Sequence, residues 1–256
     1  MSFDWLHLES KCDGFEPPER VTFITVAGTW SPRDWGFQAD VARLLDDERW
    51  FWKPVEYPHS FGPINPPFPG APSYADSVQQ GVANTELAIN STPGRFAICG
   101  YSQGAEVVSR VCAELAAGSL NHRLEDCIGC VTFGDPARQV SDLTFGGGGG
   151  AGIARLVIPS GVPRITYAAT GDLYCTTPVD TQAGDDMHAV YGALTSLGGG
   201  IAITDLVVQV SKILTNPIVG GLAAIEAMIR AMKVAAHGSY GPWVPHAADW
   251  LNQRAG

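Results

Sequence analysis

Phe96-Ala97-Ile98-Cys99-Gly100-Tyr101-Ser102-Gln103-Gly104 decides how this chain reads. Four apolar residues run into a Gly-x-Ser-x-Gly pentad. Beyond it, over 105–117, Val107, Val108, Val111, Cys112 and Leu115 recur at helical spacing, and Gly118 supplies a C-terminal stop. Strand, sharp turn and helix in that order make a nucleophile elbow, with glycines flanking the serine because a side chain there would strike the neighbouring strand or helix. A serine hydroxyl is a weak nucleophile near neutral pH and needs a base beside it and an oxyanion site in front of it. The pentad alone is a weak signal in a chain with 30 glycines. The strand before it and the helix after it give it weight.

Working outward, further strands are expected at 21–27, 128–133 and 163–169, and further helices at 38–45 and 74–89. Near-continuous apolar strands separated by helices predict an α/β fold with a mostly parallel sheet covered on both faces. A chain of 256 residues, 45% hydrophobic and 16% charged, can bury a large core, and one domain over 1–256 is expected. The net charge of −10 argues against a nucleic-acid partner or electrostatic docking on an anionic membrane. No apolar run approaches the roughly 18 residues of a membrane-spanning helix. The start Met1-Ser2-Phe3-Asp4-Trp5 lacks the basic-then-apolar layout of a signal peptide.

Six cysteines are too few for a disulfide scaffold, so most are expected as buried thiols. Cys127-Ile128-Gly129-Cys130 merges into an apolar strand, with neither a second ligand pair nor a thioredoxin-like setting. The six histidines show no paired-ligand spacing. No metal and no cofactor are expected.

The polar candidates all fall just past the C-terminal ends of strands, where open α/β sheets place their sites. For the oxyanion hole, one donor is expected from the backbone amide of Gln103 and the other from Thr29, in the loop after the first strand, with Gly28 letting the chain pass close to substrate. Two aspartates compete for the acid. Asp172 follows the last good strand and is the preferred residue. Asp135, followed by Pro136, reads as a turn or N-cap residue, and Asp185-Asp186 as caps of the next helix. Three histidines lie downstream of Asp172: His188 at the head of an apolar stretch, His237 beside Gly238, and His246 after Pro245. A base must swing an imidazole between Ser102 and Asp172, and a short loop suits that job. His237 is preferred, with His246 and His188 as the alternatives.

These motifs resemble the lysin B family of mycobacteriophages, cutinase-related serine esterases with an α/β-hydrolase fold. The resemblance rests on Val26-Ala27-Gly28-Thr29, the elbow through Ala105, the Gly-Asp-Pro-x-Arg-Gln segment at 134–139, the Tyr-Ala-x-x-Gly-Asp-x-Tyr segment at 167–174 and Asp-Asp-x-His at 185–188. It spans nearly the whole chain. In the family the histidine matching His188 is not catalytic, and the base lies near the C-terminus ahead of a tyrosine and a last helix, as His237, Tyr240 and 247–251 do here. Pro245-His246 matches a family Pro-His pair by dipeptide, and cutinases, with their base soon after the acid, would favour His188.

The resemblance implies hydrolysis of the ester joining mycolic acids to arabinogalactan, or of another long-chain ester, during phage-induced host lysis. A monomer made in the host cytoplasm and acting at the cell wall is expected. A general lipase, cutinase or carbohydrate esterase is the alternative, and a noncatalytic wall- or lipid-binding protein the alternative of another class. Residues 57–74, too proline-dense for helix or strand, are expected to wall the cleft or form a rigid surface loop. Apolar residues at helical spacing over 197–236 predict an inserted helical lid or linker segment, about 188–236 in all, that lines an acyl channel or packs on the core. The glycine run 146–150 is expected to be a mobile tether. Residues 1–19 are too short for a peptidoglycan-binding domain.

Overall fold

A computed structural model of the chain describes residues 20–196 and 235–256. Six strands form its sheet: β1 (Val21–Val26), β2 (Trp50–Pro54), β3 (Phe96–Tyr101), β4 (Cys127–Phe133), β5 (Thr144–Phe145) and β6 (Arg164–Tyr167). Their order in the sheet is β2-β1-β3-β4-β6-β5, and every neighbouring pair is parallel. Among the described residues the α-helices are α1 (Phe37–Leu44), α2 (Tyr74–Asn90), α3 (Gln103–Ala117), α4 (Gln182–Thr195) and α5 (Val244–Ala255).

Alternation along the strands feeds two separate cores. Ile24, Val26, Phe96 and Ile98 turn to the side that holds Val78 and Ile89 of α2, Val107 and Val111 of α3, and Val190 of α4. Phe23, Ala97, Cys99 and Val131 turn the other way, against Val41 of α1 and Val244, Ala247 and Leu251 of α5. Both faces are covered, so β1, β3 and β4 read as near-continuous apolar runs. β3 is central, with β1 and β2 on one side and β4, β6 and β5 on the other.

Four features differ from expectation. β2 is an edge strand whose Trp-Phe-Trp-Lys-Pro sequence has no apolar alternation, and Pro54 is tolerated because it closes an edge. β6 is shorter than 163–169. α4 begins at Gln182, ahead of both Asp185 and the expected helical segment at 188, because Thr181 is the N-cap and its hydroxyl accepts from Gly184 N at 3.1 Å. Asp185 lies in the first turn and pairs with Arg155 at 2.6 Å. Finally, the run 146–150 is anchored: Gly148 N donates to Ala168 O, and the Arg138 guanidinium donates to the carbonyls of Gly149 and Gly150. The expected helical pair at 197–236 falls almost wholly outside the described residues, as do Cys12 and residues 1–19. Cys99, Cys112, Cys127, Cys130 and Cys175 are buried free thiols.

Candidate active site

β3 ends at Tyr101, and Ser102 links it to α3 at φ 57°, ψ −120°, a left-handed geometry costly for a non-glycine residue. Ser102 N donates to Phe133 O at 2.9 Å, which fixes the turn to β4. The flanking glycines have a steric cause. A Cβ at Gly100 would run into the Gly104 carbonyl, and one at Gly104 into the Val26 and Ala27 carbonyls. Backbone meets backbone on both sides of the serine, so neither contact can relax by a side-chain rotation.

The structure brings Ser102, His237 and Asp172 together. His237 Nε2 lies 2.9 Å from Ser102 Oγ, and Nδ1 lies 2.8 Å from Asp172 Oδ2. A carboxylate only accepts, so Nδ1 carries the proton and the Nε2 lone pair faces the serine hydroxyl. His237 sits in a turn at 235–238, which closes with Gly238 N donating to Ala235 O. Its ring lies between those of Tyr101 (centroids 5.2 Å apart) and Tyr174 (4.5 Å), and the Tyr101 hydroxyl donates to His237 O at 2.9 Å.

Asp172 is buried after β6. Its Oδ1 accepts from Tyr174 N at 3.1 Å, and its Oδ2 accepts from His237 and from the Tyr240 hydroxyl. Burial pushes this carboxyl up, but hydrogen bonds from His237, Tyr240 and Cys175 and the attraction of His237 outweigh it, leaving Asp172 below the ordinary carboxylate range.

Gly28 packs at the elbow, where an added Cβ would lie 3.2 Å from Ser102 Cβ, and Thr29 follows at its rim. Gln103 is the first residue of α3. Its amide has no carbonyl one turn behind it and points from the positive end of the helix. Residues 57–74 press on this region. Trp30 N donates to His59 O at 2.8 Å, and Gln103 Nε2 to Ser60 O at 2.9 Å. The dipeptide His59-Ser60 thus ties the residue after Thr29 to the side chain of Gln103.

The competing residues lie elsewhere. Asp135 is a buried turn residue that accepts from Ala137 N at 2.7 Å and from the Ser109 hydroxyl. His188, on α4, approaches Ile153 O at 2.8 Å. His246, exposed at the start of α5, pairs with the Tyr167 hydroxyl at 2.6 Å. Sequence reasoning did not single out the groups that surround the imidazole and carboxylate: Tyr101, Tyr174, Cys175 and Gly134. Gly134, at φ 57°, gives the imidazole its room, because a Cβ there would come within 2.9 Å of His237 Cε1. Its signal is a glycine directly after a strand, at the head of the Gly-Asp-Pro-x-Arg-Gln segment. Among the described residues no three His, Cys, Asp or Glu side chains are grouped to hold a metal ion.

A parallel sheet with a serine raised on a strained strand-to-helix turn, and a histidine and an aspartate delivered by later loops, defines an α/β-hydrolase. The chain belongs to the PE-PPE domain family, whose pattern matches residues 52–184. It is 29% identical over 250 residues to endolysin B of Mycobacterium phage L5, covering 87% of this chain and 92% of that protein. The structure of lysin B from Mycobacteriophage D29 superposes with a TM-score of 0.69 at 26% identity, covering 92% of this chain and all of that one. An acetylxylan esterase shares the fold, with a TM-score of 0.59 at 17% identity over 92% of this chain and 98% of that one.

Proposed function

We propose that the protein is a serine esterase that cleaves the ester between mycolic acids and arabinogalactan in the mycobacterial wall during phage-induced lysis. Ser102 is the nucleophile, His237 the general base and Asp172 the acid that orients it, with the amides of Thr29 and Gln103 as the oxyanion hole. The observation that carries the chemistry is the pair of contacts at 2.9 and 2.8 Å that runs from the strained Ser102 through His237 to Asp172. The likeness to endolysin B of a mycobacteriophage, across most of both chains, supports the wall as the site of action.

Ser102 Oγ attacks the ester carbonyl carbon as its proton passes to His237 Nε2. Two amides hold the resulting oxyanion, and Asp172 balances the imidazolium. Collapse of the tetrahedral intermediate expels the sugar alkoxide, which takes the proton from Nε2, and leaves the acyl group on Ser102. Water, deprotonated by His237, then attacks the acyl-enzyme. The second collapse frees the mycolic acid and returns the proton to Ser102.

The test is ester hydrolysis by folded wild type, Ser102→Ala, His237→Ala, His188→Ala and His246→Ala on isolated mycolyl-arabinogalactan and on p-nitrophenyl esters of graded acyl length. Loss of mycolic-acid release in Ser102→Ala and His237→Ala alone is the expected result. Full activity in Ser102→Ala would overturn the serine-esterase reading. Cleavage of short soluble esters only would remove the wall substrate and leave the mechanism standing.

A further inference from the structure

His237 is not the only donor to Asp172 Oδ2. Tyr240, three residues further on, sends its hydroxyl to the same oxygen, and its side chain is completely buried. That hydroxyl also accepts from Ala169 N at 3.3 Å and lies 3.3 Å from Cys175 Sγ. The ring is caged by Phe37, Phe133 and Trp243, with centroids 5.7, 5.9 and 5.7 Å away. So the phenol cannot rotate off the carboxylate without disturbing α1, β4 and the entry to α5. Such confinement exceeds what filling a gap requires, since phenylalanine would fill the same cage.

We propose that Tyr240 is a positioning residue of the hydrolytic relay, whose phenol fixes the direction of Asp172 and sets how much negative charge that carboxylate presents to His237. The proposal rests on the assignment of Ser102, His237 and Asp172 made above. Oδ2 shares its lone pairs between two donors, and each bond drains charge from the other. A strong second donor weakens the pull of Asp172 on the imidazolium while keeping the carboxylate ionised and aimed. The other titratable groups around the pair are Tyr101 from β3 and Tyr174 and Cys175 from the loop after β6. Burial pushes all three up, as it does Tyr240, so they stay neutral over the working range.

Tyr240→Phe removes the donor and keeps the ring. The expected result on a soluble p-nitrophenyl ester is a fall in kcat of about tenfold with KM unchanged, since the carboxylate loses the donor that fixes its direction and the imidazole is held less well in line with Ser102. The acid limb of kcat/KM, which reports protonation of the base, moves to higher pH by on the order of half a unit to one unit, because an undrained carboxylate holds the imidazolium more tightly. Site-specific 3-fluorotyrosine at position 240, a stronger donor of nearly the same shape, moves the limb the other way, and it decides the matter should Tyr240→Phe fail to fold. An unmoved acid limb in both variants, whether or not kcat falls, reduces Tyr240 to packing and overturns the proposal. Activity retained by Ser102→Ala under the same assay instead removes the relay assignment beneath it.

Discussion

Replacing Gly134 with alanine asks whether the space behind His237 is held open for the imidazole. Gly134 follows β4 at φ 57°, where an L-residue with a Cβ loses about 1–2 kcal/mol. The added methyl would lie 2.9 Å from His237 Cε1, 3.1 Å from its Nδ1 and 3.1 Å from Asp172 Oδ2. Ordinary carbon contacts start near 3.5 Å, so the ring must retreat by roughly half an ångström. Retreat along the line away from Gly134 strains contacts of 2.8 and 2.9 Å that already sit at hydrogen-bond length. Misplacement on that scale costs on the order of 10- to 100-fold in kcat. The measurement pairs a thermal melt with steady-state kinetics on a p-nitrophenyl ester, and active enzyme is counted by titration with a phosphonate. The expected variant is folded, destabilised by about 1–2 kcal/mol and slowed through kcat with KM little changed. Placed on Ser102→Ala, the same substitution should cause no further loss of rate. A Gly134→Ala enzyme within twofold of wild-type kcat would refute the steric reasoning.

Three further outcomes follow from the same geometry. Asp135 is fully buried and desolvation lifts its carboxyl from the ordinary 3.8 to about 6, despite hydrogen bonds from Ser109 and Ala137. Because the folded value is the higher one, the fold prefers the protonated form. The ionised form costs about 3 kcal/mol above pH 6, and that cost fades as pH falls through 6 towards 4. Asp135→Asn should therefore unfold at higher urea than wild type at pH 8 and match it at pH 4; equal midpoints at pH 8 would contradict the assignment. Gly104→Ala drives a Cβ into the Val26 and Ala27 carbonyls of β1, where nothing can rotate aside. The loss should exceed about 3 kcal/mol and show as insoluble expression or a lost thermal transition. His188→Ala and His246→Ala should stay within about threefold of wild-type kcat, whereas His237→Ala should lose about 10³-fold or more, read with the same ester.

How much of the fold could be read depended on how regularly each element presents its apolar residues. β1, β3 and β4 are buried on both faces, so near-continuous apolar runs located them within a residue or two. The helices over 74–90 and 103–117 announced themselves by spacing. β2 did not, because an edge strand with an exposed Phe51 and a terminal proline obeys neither pattern. Nor did the two-residue β5, which exists because β6 has an unpaired edge to offer. The glycine run shows why composition misleads about freedom. Five glycines have wide conformational choice in isolation, but Arg138 removes it by donating to the carbonyls of two of them while also bonding Cys175 O at 2.6 Å. That choice was closed by a residue outside the run.

The candidate site divides along the same line. Ser102, Gln103 and Asp172 sit on short segments whose local pattern states their position, the elbow and the Gly-Asp after a strand, so spacing alone could nominate them. The histidine is different in kind. His188, His237 and His246 each satisfy chain order, and what separates them in space is long-range: Tyr101, on the last residue of β3, bonds the His237 carbonyl and stacks on its ring, while Tyr167 takes His246 and Ile153 takes His188. Each of those partners lies at least 35 residues away in the chain. The same argument explains why Gly134 and Tyr240 were not assigned a part. One makes room and the other shares an oxygen, and neither act leaves a mark on neighbouring residues. A serine at an elbow can be recognised from nine letters, but the group that activates it is selected by tertiary contacts converging on a single turn.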